Sequence, residues 1–205
     1  MRQIILADAA IACAAPALVQ PVAAQPADPA VVEKYVAATF RSASPEWQAR
    51  VKQDATQQLC SLRRNEPTTA EATEIQKREA ANVKLPADGK VIGEWKKGEK
   101  VAQNGRGGQF SDPPGTVSGG NCYACHQMAG AEVSYGTLGP SLLQYGKLHD
   151  YDPKAAVATF VKIYNPQTVV ACSNMPRFGH NGILTEAQIR DVVAYLFDPA
   201  SPVNQ

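Results

Sequence analysis

The most constraining feature of this chain is the pentapeptide Cys122-Tyr123-Ala124-Cys125-His126. Two thiols at this spacing can add to the two vinyl groups of one haem, and the adjoining imidazole then lies under the iron. A Cys-x-x-Cys pair has two other readings, a zinc site and a dithiol redox centre. A zinc site needs a second ligand pair at matching spacing, and the sequence offers none. His126 selects the haem reading. The expectation is one covalently bound haem c, with Cys122 and Cys125 as attachment points and His126 as the proximal iron ligand.

The other face of the iron has four candidates: Met128, Met175, His149 and His180. Met128 follows His126 too closely to reach around the ring. Met175 lies far downstream in an irregular segment, and Pro176 locks the backbone beside it and removes an amide donor near the sulfur. The plain alternative for Met175 is a gap-filling core methionine. His180 is its main competitor, and a second histidine would give a lower potential than a thioether. His149 reads as a surface residue. Met175 is the expected distal ligand. Gly139-Pro140 reads either as an ordinary turn or as a shaped loop whose carbonyl accepts the free ring N–H of His126.

The N-terminus reads as an export signal over residues 1–24, with sparse basic charge at Arg2, an apolar run from Ala9 to Val19, and small residues before a cut ahead of Gln25. The run is too short to span a bilayer. Acylation of Cys13 is the weaker alternative, because Ala10-Ile11-Ala12 is a poor lipid box. Covalent haem attachment in bacteria takes place beyond the inner membrane, so the expected location is the periplasm. Lys+Arg 20 against Asp+Glu 19 gives a net charge of +1, which argues against nucleic acid or a membrane surface as partner. Of the five cysteines, the signal takes one and the haem two. Cys60 and Cys172 remain, and in an oxidising compartment they are candidates for a disulfide. A buried Cys60, or a bond to another subunit, competes with that pairing.

Periodicity divides the mature chain in two. Residues 25–84 read as a helical N-terminal extension. Its helices open at Asp28-Pro29 and at Ser44-Pro45, the latter running through Leu62, and a charged third spans Pro67 to Asn82. It has little apolar content and would be marginal alone. Residues 85–205 read as the haem domain. A short amphipathic helix over Val91–Asn104 is interrupted by Gly93 and Gly98, and a Gly-, Pro- and Ser-rich loop follows from Gly105 to Gly120. Asp152-Pro153 starts a helix that Asn165-Pro166 stops. The last helix carries a capping box, Thr185 and Gln188, and a full apolar face of Ile189, Val192, Val193, Leu196 and Phe197 before Asp198-Pro199 ends it.

The order of haem motif, Gly139-Pro140 loop, late Met175 and apolar last helix resembles class I cytochromes c, which implies an all-α fold on one haem for about Leu85 to Pro199. The long Gly105–Gly120 loop departs from that pattern. GNCYACH at 120–126, GTLGPSLLQYG at 136–146 and NMPRFGHNGILTEAQIRDVVAYL at 174–196 are similar to the SoxX family, monohaem subunits of the SoxAX complex of bacterial thiosulfate oxidation. In that family the methionine of the Met-Pro-Arg-Phe-Gly segment, here Met175, is the distal ligand. The resemblance implies a heterodimer with a SoxA-like cytochrome that performs the sulfur chemistry. There thiosulfate is joined to a cysteine of a SoxYZ-like carrier (an L-cysteine S-thiosulfotransferase reaction). This chain would take up the electrons and pass them to a soluble cytochrome, and it would contribute no catalytic residue. Two other functions compete: a free-standing electron shuttle, which the extension argues against, and a haem enzyme or gas sensor with an open iron face, which requires Met175 to be a bystander.

Overall fold

Eight α-helices and no strands occur among the described residues of the computed structural model, which are 27–113 and 115–205. The expected signal, residues 1–24 with Cys13, lies outside them. The helices are α1 Pro29–Thr39, α2 Pro45–Arg50, α3 Ala55–Leu62, α4 Thr69–Ala80, α5 Trp95–Gln103, α6 Tyr145–Leu148, α7 Pro153–Tyr164 and α8 Glu186–Phe197. Short 3-10 turns lie at Cys122–Ala124, Pro166–Thr168 and Pro202–Asn204. The fold is all-α, of the class I cytochrome c type. None of the described helices is long and apolar enough to cross a membrane.

Backbone packing divides the described residues at Phe40/Arg41 into two units. In the first, Asp28 caps α1 by accepting from Ala30 N at 2.9 Å, Pro29 occupies the first turn, and no residue of the helix is buried. The second unit holds everything from α2 onward.

At the centre of that unit α5 crosses α8. A Cβ at Gly98 would collide with the backbone carbonyl of Asp191, so glycine is what lets the two helix backbones approach. The start of α5 is satisfied by α8 rather than by its own cap. Gly93 N donates to Arg190 O at 3.0 Å and Glu94 N to the Asp191 carboxylate at 2.8 Å. This is why α5 begins at Trp95 instead of the expected Val91: the amides of residues 93 and 94 donate across to α8 and not along a helix. The last helix forms as its capping box indicates, with Gln188 N donating to Thr185 Oγ1 at 3.2 Å and Thr185 N to Gln188 Oε1 at 3.0 Å. Its apolar face buries Ile189, Val192, Val193, Leu196 and Phe197 against Phe160 and Ile163 of α7 and Ala102 of α5. Each large aliphatic or aromatic side chain buried there contributes about 1.5–3 kcal/mol.

One expected helix divides. The stretch from Pro45 to Leu62 breaks at residues 51–54, because Asp54 and Gln57 make a second capping box that starts α3 afresh. Gln57 N donates to Asp54 Oδ1 and Asp54 N to Gln57 Oε1, both at 2.9 Å. A third box, Thr68 with Glu71, starts α4. Helix α4 packs on the Pro166–Thr168 turn, and Cys60 of α3, Ile75 of α4 and Cys172 form a small second core. Cys60 and Cys172 are joined by a disulfide across a sequence separation of 112.

Candidate functional site

The Cys-x-x-Cys-His segment is held from two sides by backbone hydrogen bonds. On one side Gly120 N donates to Val101 O at 2.8 Å and Asn121 N to Asn104 O at 3.1 Å, which ties the motif to the end of α5. On the other, Gly136 N donates to Tyr123 O, Gly139 N to Cys125 O and Leu142 N to Gln127 O, at 2.8, 2.8 and 2.7 Å. The loop expected around Gly139-Pro140 is therefore laid along the motif. Beneath it, the Tyr123 hydroxyl meets that of Tyr195 on α8 at 2.6 Å and accepts from Ala129 N at 3.3 Å. Burial, and then the contact with Tyr123, push the Tyr195 phenol well above its usual range, so Tyr195 acts as a neutral hydrogen-bonding anchor.

His126 Nδ1 lies 2.8 Å from Pro140 O. A carbonyl only accepts, so Nδ1 carries the proton and Nε2 is left with its lone pair for a metal. Gly139 sits directly against the same ring, and a Cβ there would overlap it. Replacing Gly139 with Ala is therefore expected to push the imidazole off its Pro140 hydrogen bond. The expected cost is about 1–3 kcal/mol of stability, read as a lower thermal midpoint of the haem-loaded protein than of a Gly130→Ala control, where an added Cβ meets nothing.

Cys122 and Cys125 are both free thiols and both half-buried, in contrast to the bonded Cys60 and Cys172. Burial pushes the Cys122 thiol up to about 12, with the neighbouring Cys125 adding to the shift. A dithiol redox centre works by the opposite shift, toward thiolate. The residues present fit a covalent haem: two unbonded thiols, an imidazole with Nε2 free and its ring orientation fixed, and next to Gly139 an apolar Leu138 that is 89% exposed.

The four candidates for the second axial position separate clearly. Met128 is 1% exposed inside the main core and packs as a core residue. His149 packs its ring against Tyr145, with centroids 4.4 Å apart. His180 turns Nδ1 toward Glu79 of α4, at 4.0 Å from Oε2. Met175 is half-buried on the irregular segment after Cys172 and packs against the same core that Cys122 borders. Sequence reasoning missed the buried polar cluster behind it, in which Arg177 pairs with Asp54 at 2.5 Å and lies 3.5 Å from Glu79. Burial alone would raise the Asp54 carboxyl, but the Gln57 amide and Arg177 outweigh it and hold Asp54 below the usual carboxylate range. The capping-box spacing Asp54–Gln57 was the one local sign that Asp54 has a structural task.

Comparison with known proteins gives two matches. Residues 95–198 match the family described as cytochrome c. A relative 40% identical over 161 residues, spanning 77% of this chain and 75% of its own, is an uncharacterized lipoprotein of Aquifex aeolicus (strain VF5).

Proposed function

The chain belongs to the cytochrome c family, and from that footing we propose that it is a periplasmic monohaem electron relay working as the SoxX-like subunit of a thiosulfate-oxidising SoxAX-type complex. Family membership implies haem c and electron transfer. The finer reading takes Cys122 and Cys125 as the covalent attachment points, His126 as proximal ligand and Met175 as distal ligand.

One observation carries the relay reading: the fixed orientation of His126, through Pro140 O on one side and Gly139 against its ring. The haem, when bound, supplies a one-electron couple. The protein's part is to keep the ligand geometry the same in both oxidation states, so that little reorganisation accompanies each transfer. Fixing the imidazole by a carbonyl, a glycine contact and three loop-to-motif hydrogen bonds does that. With Met175 as the second ligand no iron position is left for substrate, so catalysis belongs to the partner. The thiosulfate assignment is supported by the GNCYACH, GTLGPSLLQYG and NMPRFGHNGILTEAQIRDVVAYL segments.

Purification from the native host tests the partner. A stable one-to-one complex with a larger c-type cytochrome, active in joining thiosulfate to a carrier-protein cysteine, is the expected result. A chain that purifies alone and exchanges electrons freely with soluble cytochromes is the free-standing shuttle instead. Export is part of the same proposal. The name of the Aquifex relative, a lipoprotein, fits an exported chain and brings forward acylation of Cys13 as the alternative to cleavage ahead of Gln25. The intact mass of the mature chain separates the two.

A further inference from the structure

Glu79 is 3% exposed, yet it is a carboxylate on a helix that already docks through Ile75. Its oxygens collect groups from three other elements. The Thr56 hydroxyl of α3 donates to Oε1. Asn165 Nδ2, where α7 ends, donates to Oε2 at 2.7 Å. Arg177 Nη1 approaches Oε2 at 3.5 Å and His180 Nδ1 at 4.0 Å. Arg177 is 7% exposed and sends its other terminal nitrogen to Asp54, the cap of α3. A charge removed from water to this degree is costly unless paired, and a well-packed apolar group would often serve stability as well or better. A buried ion pair offers directionality and register instead.

The location gives that register a use. Met175 stands between two anchors, the Cys172 disulfide before it and Arg177 after it, and both lead back to the α3–α4 segment. We propose that Glu79 and Arg177 are a positioning pair for Met175, and that the α3–α4 segment serves as a clamp holding the thioether in place. This rests on the reading of Met175 as the distal ligand. Packing alone would hold the segment near the core. The paired charges, fixed by Thr56, Asn165 and Asp54, also fix which way the chain runs on leaving Met175.

The test uses the full-length haem-loaded protein and follows two signals during heating: the thioether-to-ferric charge-transfer band and the far-ultraviolet helix signal. In the wild type the band should be present and should melt with the helices. In Glu79→Gln, and separately in Arg177→Met, the band should be lost about 10 °C or more below the helix signal, because the contact that directs the chain beyond Met175 is broken even though Arg177 keeps Asp54 and Glu79 keeps Arg78, 3.8 Å from Oε1. The pair Glu79→Gln with Arg177→Met should widen the gap by less than the sum of the two single changes, since both remove the same contact. If Glu79→Gln does not accumulate, Thr56→Val withdraws one hydrogen bond from the carboxylate and should open a smaller gap of the same sign. Band and helix signals that melt together in all these variants would overturn the proposal. A wild-type protein without the band would overturn the Met175 reading itself, a distinct result.

Discussion

Replacing Met175 with alanine is expected to abolish the thioether charge-transfer band of the ferric protein and to lower its reduction potential. A neutral, polarisable thioether favours the ferrous state, and its loss leaves His126 as the remaining ligand of the proposed set. Each tenfold loss in that preference lowers a one-electron potential by about 59 mV. The haem itself should stay attached, because the bonds from Cys122 and Cys125 do not involve Met175. Absorption spectra and a potentiometric titration read both effects. An unchanged spectrum would make another group the ligand. His180 is the neighbouring choice by sequence, but its ring is turned toward Glu79.

The second large effect is expected at the disulfide. Replacing Cys60 and Cys172 together by serine frees the unfolded chain from a loop of 112 residues. In the chain-entropy model that closure is worth about 4–5 kcal/mol. Cys172 adopts a left-handed backbone conformation, φ 59°, held by Gln167, whose Oε1 accepts from Cys172 N at 2.6 Å. Serine at 172 inherits that conformation, so its strain is common to both proteins and cancels. The net loss should be about 4–5 kcal/mol, a fall in thermal midpoint of roughly 8–20 °C for a chain of this size. Alkylation without reduction, followed by mass spectrometry, should find no free thiol in the haem-loaded mature chain. A Cys60 peptide linked to another subunit would contradict the intramolecular bond.

Much of this was legible wherever the signal was local. The haem motif is a covalent requirement written in consecutive residues. The Asp-Pro starts of α1 and α7 and the Thr185–Gln188 box act within one helical turn, and the helices begin where they indicate. The break between α2 and α3 was readable too, from the Asp54–Gln57 spacing, but a continuous apolar periodicity from Trp47 to Leu62 masked it. The start of α5 was not readable, because the groups that satisfy residues 93 and 94 come from α8. The Glu79 cluster is the clearest case. Asn165 is 86 residues from Glu79 in sequence, and Asp54 is 123 from Arg177. Charges in a helix as polar as α4 look like a solvated face until the fold brings their partners to them.

The spacing between Cys172 and Met175 has a kinetic consequence. Met175 lies three positions after Cys172, and three backbone steps span at most about 11 Å between Cα atoms even when fully extended. Should α8 fray or the segment around Met175 detach, the Met175 Cα stays within that radius of the Cys172 Cα, and the sulfur only a side chain's length beyond it. With Met175 as the proposed distal ligand, its effective concentration near the iron is then that of a short tether, on the order of millimolar or above. Recapture is intramolecular and insensitive to dilution, so a competing small ligand must reach a comparable concentration before it can displace the methionine.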